Sequence, residues 1–245
     1  MKTIRMRSLP ALRRGGIRCC AALAAIFAAT ACAGQRTSEG GRVSEGMRYL
    51  ALGDSYTIGE GVAPEERWPA RLAVMLRERG LDVADPVIIA TTGWTTDELD
   101  AGIGAAAPKG PYALVSLLIG VNNQYRGRPA DEYREQFTAL LRRAIGFAGG
   151  DASRVVVVSI PDWGVTPFAE GRDRAQVARE IDAFNAINRD VARELGARWV
   201  DVAPSSRRAP AAVVADGLHP SGEQYREWAA LVLPEALAAL GAPSN

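Results

Sequence analysis

Cysteine is missing from residues 33–245, and histidine occurs once in the whole chain, at His219. The three cysteines, Cys19, Cys20 and Cys32, stand close together near the N-terminus. The body therefore has no thiol with which to build a disulfide, and its core must hold it together unaided. One imidazole and no thiolate also argue against a zinc or haem centre. A carboxylate site for a hard cation has no motif behind it, so neither a metal nor an organic cofactor is expected. A G-x-S-x-G elbow is also absent, which argues against the large hydrolase class built on it. No apolar run is long enough to span a bilayer comfortably.

Basic charge is outnumbered by acidic charge outside the N-terminus. Residues 1–31 carry Lys2, Arg5, Arg7, Arg13, Arg14 and Arg18 and no acid, which leaves 23 basic against 28 acidic residues in the rest, a net of −5. A mildly acidic body has no electrostatic case for nucleic acid. The N-terminal basic stretch precedes the apolar run Cys19–Ala31, which ends in small residues before Cys32. That order reads as an export signal over residues 1–31. The Cys after Ala29-Thr30-Ala31 resembles a bacterial lipoprotein signal, in which it becomes the lipidated first residue, although Ala29 stands where Leu is usual. Plain cleavage after Ala31 is the alternative. The expectation is an exported protein of the periplasm or cell envelope, lipid-anchored to a membrane through Cys32. Residues 33–46, rich in Gly, Ser and charge, read as a flexible tether, and one domain follows over residues 47–245.

Within that domain five short apolar runs recur, at 48–52, 86–90, 112–119, 154–160 and 198–202. Apolar on both faces, they suit strands buried in a parallel sheet. Helical stretches separate them. Leu72, Val74, Met75 and Leu76 mark one face of the first long helix, which closes at Gly80. The last helix opens at Ser221 with Gln224 three residues on, a capping-box pattern, and Pro234 should kink it. Alternation of this kind implies an α/β fold, a three-layer doubly wound sandwich of about five parallel strands, flavodoxin-like in outline. Ligands bind such sheets beyond the carboxyl ends of the strands.

Four loops at those ends carry polar chemistry. The first strand runs into GDSYTIGEG, where Ser55 is either a cleft-facing hydroxyl or a helix cap, and Asp54 a turn residue. TTGWTT after the second strand either offers the Gly93 backbone N–H, with Trp94 to wall a pocket, or is a glycine turn with a half-buried Trp. GVNNQYRG after the third offers the Asn122 and Asn123 amides, as oxyanion donors or as turn residues. His219 sits in ADGLHPSGEQY, kept out of the helix by Pro220, with Asp216 three residues before it. Asp201 is a rival acid of lower rank. PDWGVTPF reads as a rim loop in which Trp163 or Phe168 either contacts substrate or is an exposed turn aromatic.

Taken together, GDSYTIGEG, TTGWTTDEL, IGVNN and DGLHPSG, in that order and at strand ends, resemble the SGNH (GDSL) hydrolase family over essentially the whole domain. The resemblance implies Ser55 as nucleophile, His219 as general base and Asp216 as the acid that orients the imidazole. It implies an oxyanion hole of the Ser55 and Gly93 N–H groups and the Asn122 side chain. Asn123 departs from the pattern, which has Asp there; it keeps the hydrogen-bonding shape and loses a charge. The expected activity is hydrolysis of carboxylic esters through an acyl-Ser55 intermediate, with Trp94, Tyr125 and Trp163 forming an apolar wall. The substrate is a small-molecule, lipid or carbohydrate ester, and the protein is expected to be a monomer. An acyltransferase, a cell-wall sugar deacetylase and a non-catalytic binding domain are the alternatives.

Overall fold

A computed structural model describes residues 46–243. The export signal, Cys32 and nearly all of the tether lie outside the described residues. Five strands form one sheet: β1 (Tyr49–Gly53), β2 (Val87–Ala90), β3 (Leu114–Leu118), β4 (Val155–Val158) and β5 (Arg198–Val200). Each falls inside one of the apolar runs, except that β1 extends one residue further, to Gly53. They pair in the order β2-β1-β3-β4-β5, all parallel. The three central strands are buried along their whole length. Each fully buried Val or Leu there contributes roughly 1.5–3 kcal/mol of hydrophobic stabilisation.

The helices are α1 (Ser55–Ile58), α2 (Trp68–Glu78), α3 (Thr96–Ala106), α4 (Val121–Tyr125), α5 (Ala130–Phe147), α6 (Arg174–Leu195), α7 (Ala203–Arg208) and α8 (Gly222–Ala239). The strand order reverses after β2, so the right-handed crossovers put α2 on one face and α3, α5 and α6 on the other. The packing agrees. Helix α8 lies against α2, while α5 lies against α3 and α6. The molecule is the three-layer doubly wound sandwich that the sequence implies.

Two local expectations change. Val74 is 48% exposed, whereas Leu72 and Leu76 are fully buried. A residue two places from both lies on the opposite side of the helix, so Val74 points to solvent. At α8, Ser221 does accept from the Gln224 N–H, but the Gln224 side chain donates to Ser205 Oγ at 2.6 Å instead of closing the capping box. The helix also runs through Pro234 as a single element.

Register positions the site. Gly53 pairs with both Ala90 and Leu118, so the first three strands end level with one another. Ser55, Gly93 and Asn122 follow those ends by a few residues each, and all three emerge on one edge of the sheet.

Candidate active site

Asp54, not Ser55, caps α1. Its Oδ1 accepts from the Tyr56 N–H at 3.0 Å, which leaves Ser55 as the first helical residue with its hydroxyl uncommitted to capping. Asp54 is also more than a turn residue, because it is fully buried. Desolvation pushes its carboxyl up to about 7, and the Tyr56 N–H offsets only part of this. Its Oδ2 has no hydrogen-bond partner among the described residues.

His219 is held in a short loop between α7 and α8. The backbone pairs Val213 with Pro220 in antiparallel fashion, and the Val214 N–H donates to the His219 carbonyl at 2.8 Å. Across this loop Asp216 Oδ1 accepts from the Leu218 and His219 N–H groups at 2.8 and 3.0 Å. Asp216 Oδ2 stands 2.6 Å from His219 Nδ1. Desolvation raises the Asp216 carboxyl, but these bonds outweigh it and hold the group below the usual carboxylate range. Beneath the imidazole packs the Tyr56 ring, with centroids 5.5 Å apart. Asp201 lies elsewhere. Its Oδ1 accepts from Ser159 Oγ and the Ala203 N–H, which ties the end of β5 to α7.

The loops after β2 and β3 brace each other. Gly93 adopts φ +85°, the left-handed region that glycine enters freely. Arg126 donates to the Gly93 carbonyl at 2.6 Å and to Glu98 at 3.1 Å, which pins that peptide plane from behind. Asn122 Nδ2 donates to the Trp94 carbonyl at 2.9 Å, so the amide is oriented and its second hydrogen remains for another acceptor. Asn123 is fully buried and stitches α4 to α3. Its Oδ1 accepts from the Thr96 N–H at 3.1 Å and its Nδ2 donates to Thr96 Oγ1 at 2.7 Å. Thr96 Oγ1 passes the chain on to Gln136 Oε1. A carboxylate could not donate at this place, so the amide fits the network as it stands.

Ser55, His219, Gly93 and Asn122 line one cleft of about 160 Å³. Its apolar walls are Tyr56, Val121, Tyr125, Trp163, Phe168 and Leu218. Tyr125, Trp163 and Phe168 form one aromatic cluster, with ring centroids 5.3 to 6.2 Å apart. Trp94 is not among the walls. A Cβ on Gly102 would stand 2.2 Å from the Trp94 ring, so the indole fills the notch that this glycine leaves in α3. Only the Trp94 carbonyl serves the site, through Asn122. Among the described residues no group of three or more His, Asp or Glu side chains is placed to hold a metal ion.

Residues 51–227 match the family model of the GDSL-like lipase/acylhydrolase family. The chain belongs to that family. Membership makes this GDSL-like acylhydrolase a carboxylic ester hydrolase of the serine type. No curated protein matches it in sequence. Its fold is similar to that of several solved structures. TesA is 22% identical with a TM-score of 0.63, the match covering 79% of this chain and 99% of that one. The lipase/acylhydrolase from Enterococcus faecalis is 21% identical with a TM-score of 0.59, covering 78% and 96%. Axe2, an acetylxylan esterase from Geobacillus stearothermophilus, is 20% identical with a TM-score of 0.58, covering 81% and 96%.

Three parts of the acylhydrolase site escape a reading of the sequence. Arg126 reaches back across 33 positions to Gly93, a contact that only the fold creates. Asp54 is fully buried, whereas in the sequence an Asp after Gly looks like any turn. Tyr56, which carries the imidazole, reads only as a loop aromatic until α1 places it.

Proposed function

We propose that this acylhydrolase cleaves esters of short carboxylic acids by transfer of the acyl group to Ser55. The observation that carries the reading is the 2.6 Å contact between Asp216 Oδ2 and His219 Nδ1 at the wall of the cleft that Ser55, Gly93 and Asn122 share. With Asp216 ionised, the His219 proton sits on Nδ1 and Nε2 is left as the base. Ser55 Oγ attacks the ester carbonyl as Nε2 takes its proton, since a serine hydroxyl is a weak nucleophile without that help. Negative charge on the carbonyl oxygen is met by the Ser55 and Gly93 N–H groups and the free hydrogen of Asn122 Nδ2, each donor of this kind contributing about 3 kcal/mol. The proton on Nε2 then goes to the departing alcohol. A water molecule, deprotonated in turn by Nε2, hydrolyses the acyl-serine and restores the enzyme.

Cleft size supports short acyl groups. Drug-sized ligands occupy pockets of roughly 300 Å³ or more, and this one holds about 160 Å³. The full chain is therefore expected to hydrolyse 4-nitrophenyl acetate, and Ser55→Ala should lose that turnover. Undiminished turnover in Ser55→Ala would overturn the reading.

Export and tethering accompany this proposal. The basic, acid-free N-terminus, the Ala-rich run and Cys32 support a lipid-anchored enzyme of the periplasm or cell envelope. Mass spectrometry of the mature N-terminus should find lipidated Cys32, and an unmodified Cys32 or another first residue would contradict it. The acidic body supports a monomer acting on small esters rather than on nucleic acid.

A further inference from the structure

Past Tyr125 and Trp163 the acyl cleft borders a second depression, of about 310 Å³. The two share those rings and differ in everything else. Where the first is apolar, the second is lined by Gln124, Arg172, Asp173, Gln176 and Glu180. The polar wall is ordered by its own bonds. Trp163 Nε1 donates to Gln124 Oε1 at 2.7 Å, and Gln124 Nε2 donates to Glu180 Oε2 at 2.7 Å. Gln176 Nε2 donates to Glu180 Oε1 at 2.8 Å. Two amides thus fix the Glu180 carboxylate, and each of its oxygens keeps a lone pair for a further donor. Above this wall Tyr125 is 47% exposed, with the Arg172 guanidinium 5.9 Å from its ring centroid.

An ester has two arms, and the short apolar cleft takes only the acyl one. We propose that the second depression is the leaving-group subsite and that it takes a saccharide alcohol, so that the substrate is an O-acylated sugar. The inference rests on the ester-hydrolase reading of the Ser55 site. A fatty alcohol laid there would strip water from Arg172, Asp173 and Glu180 and give nothing back, a cost that buried polar groups impose unless they are hydrogen-bonded. A polyol returns those bonds. Its hydroxyls donate to Glu180 and accept from Arg172 and Gln176, while a ring face of C–H groups packs on Tyr125. Few polar groups at the edge of an aromatic wall is how small-molecule sites fix orientation, and a site built to bond hydroxyls rejects alcohols that lack them. The chemistry balances. The acyl carbon bonds to Ser55 Oγ, its bond to the sugar oxygen breaks, and the proton held by His219 moves to that oxygen and frees the sugar hydroxyl.

The test compares kcat/KM of the full chain for O-acetylated cellotriose with that for 4-nitrophenyl acetate. Arg172→Ala and Gln176→Ala, both on the surface, should each lower the ratio of the two about tenfold, mostly through KM for the sugar ester. Free cellotriose should inhibit nitrophenyl acetate hydrolysis in the native chain and lose potency in both variants. A ratio within twofold of native in both variants overturns the subsite alone, as does a native preference for hexadecyl acetate over acetylated cellotriose. No turnover of nitrophenyl acetate by the native chain overturns the hydrolase reading, and the subsite with it.

Discussion

Asp216 Oδ2 lies 2.6 Å from His219 Nδ1, and Asp216 Oδ1 meanwhile accepts from two backbone N–H groups of the same loop. One oxygen shapes the loop and the other faces the ring. Asp216→Asn can keep the first role and invert the second, because an amide hydrogen facing Nδ1 forces the imidazole proton onto Nε2, where it blocks uptake of the Ser55 proton. The expected result is a fall in kcat of about 10³- to 10⁴-fold, with little change in melting temperature. Steady-state kinetics beside a thermal melt checks both halves; a large loss of stability would instead make Asp216 a structural residue.

Asn122→Ala removes the proposed oxyanion donor and should lower kcat about 10²- to 10³-fold with KM nearly unchanged. Arg126 acts one step back, through the Gly93 carbonyl. Arg126→Ala should therefore cost kcat about tenfold, an amount smaller than the loss of a direct donor, and Arg126→Lys should recover part of it. Equal falls in KM and kcat for Asn122→Ala, or no loss for Arg126→Ala, would contradict these roles.

Asp54 links stability to pH. Its folded carboxyl is raised to about 7 by burial from an unfolded value of 3.8. A group raised on folding stabilises fully below the unfolded value, and that contribution is lost as pH rises through the folded one. Stability should thus decline between about pH 4 and pH 7, by at most about 1.4 kcal/mol per pH unit from this group. Asp54→Asn keeps the cap to Tyr56 and does not titrate, so melts across pH should show native minus variant stability falling over that window. A flat difference would mean that Asp54 is ionised throughout.

Phe168 lines the cleft proposed to take the acyl group and is 42% exposed. Phe168→Ala should lengthen the acyl chain preferred among nitrophenyl esters, with hexanoate gaining on acetate at least tenfold. An unchanged chain-length profile would place the acyl group elsewhere.

Much of this was legible in the sequence, for local reasons. The strands are runs such as Val155–Val158, whose β-branched side chains suit a sheet buried on both faces. Pro220 kept His219 out of α8, and the short Asp216–His219 spacing needs no long-range contact to bring the two together. What stayed hidden depends on distant partners. Trp94 follows a strand end just as a pocket aromatic would, yet the notch at Gly102 draws its ring onto α3. A glycine inside an otherwise sound helix was the signal. Gln224 satisfied a local capping pattern, and Ser205 on another helix claimed its side chain.

The most direct measurement of the central claim is the site of covalent labelling by a fluorophosphonate, read by peptide mass spectrometry on the full chain. One adduct is expected, on Ser55; it should vanish in Ser55→Ala and form far more slowly in His219→Ala. A stoichiometric adduct on another residue, or undiminished labelling without His219, would contradict it.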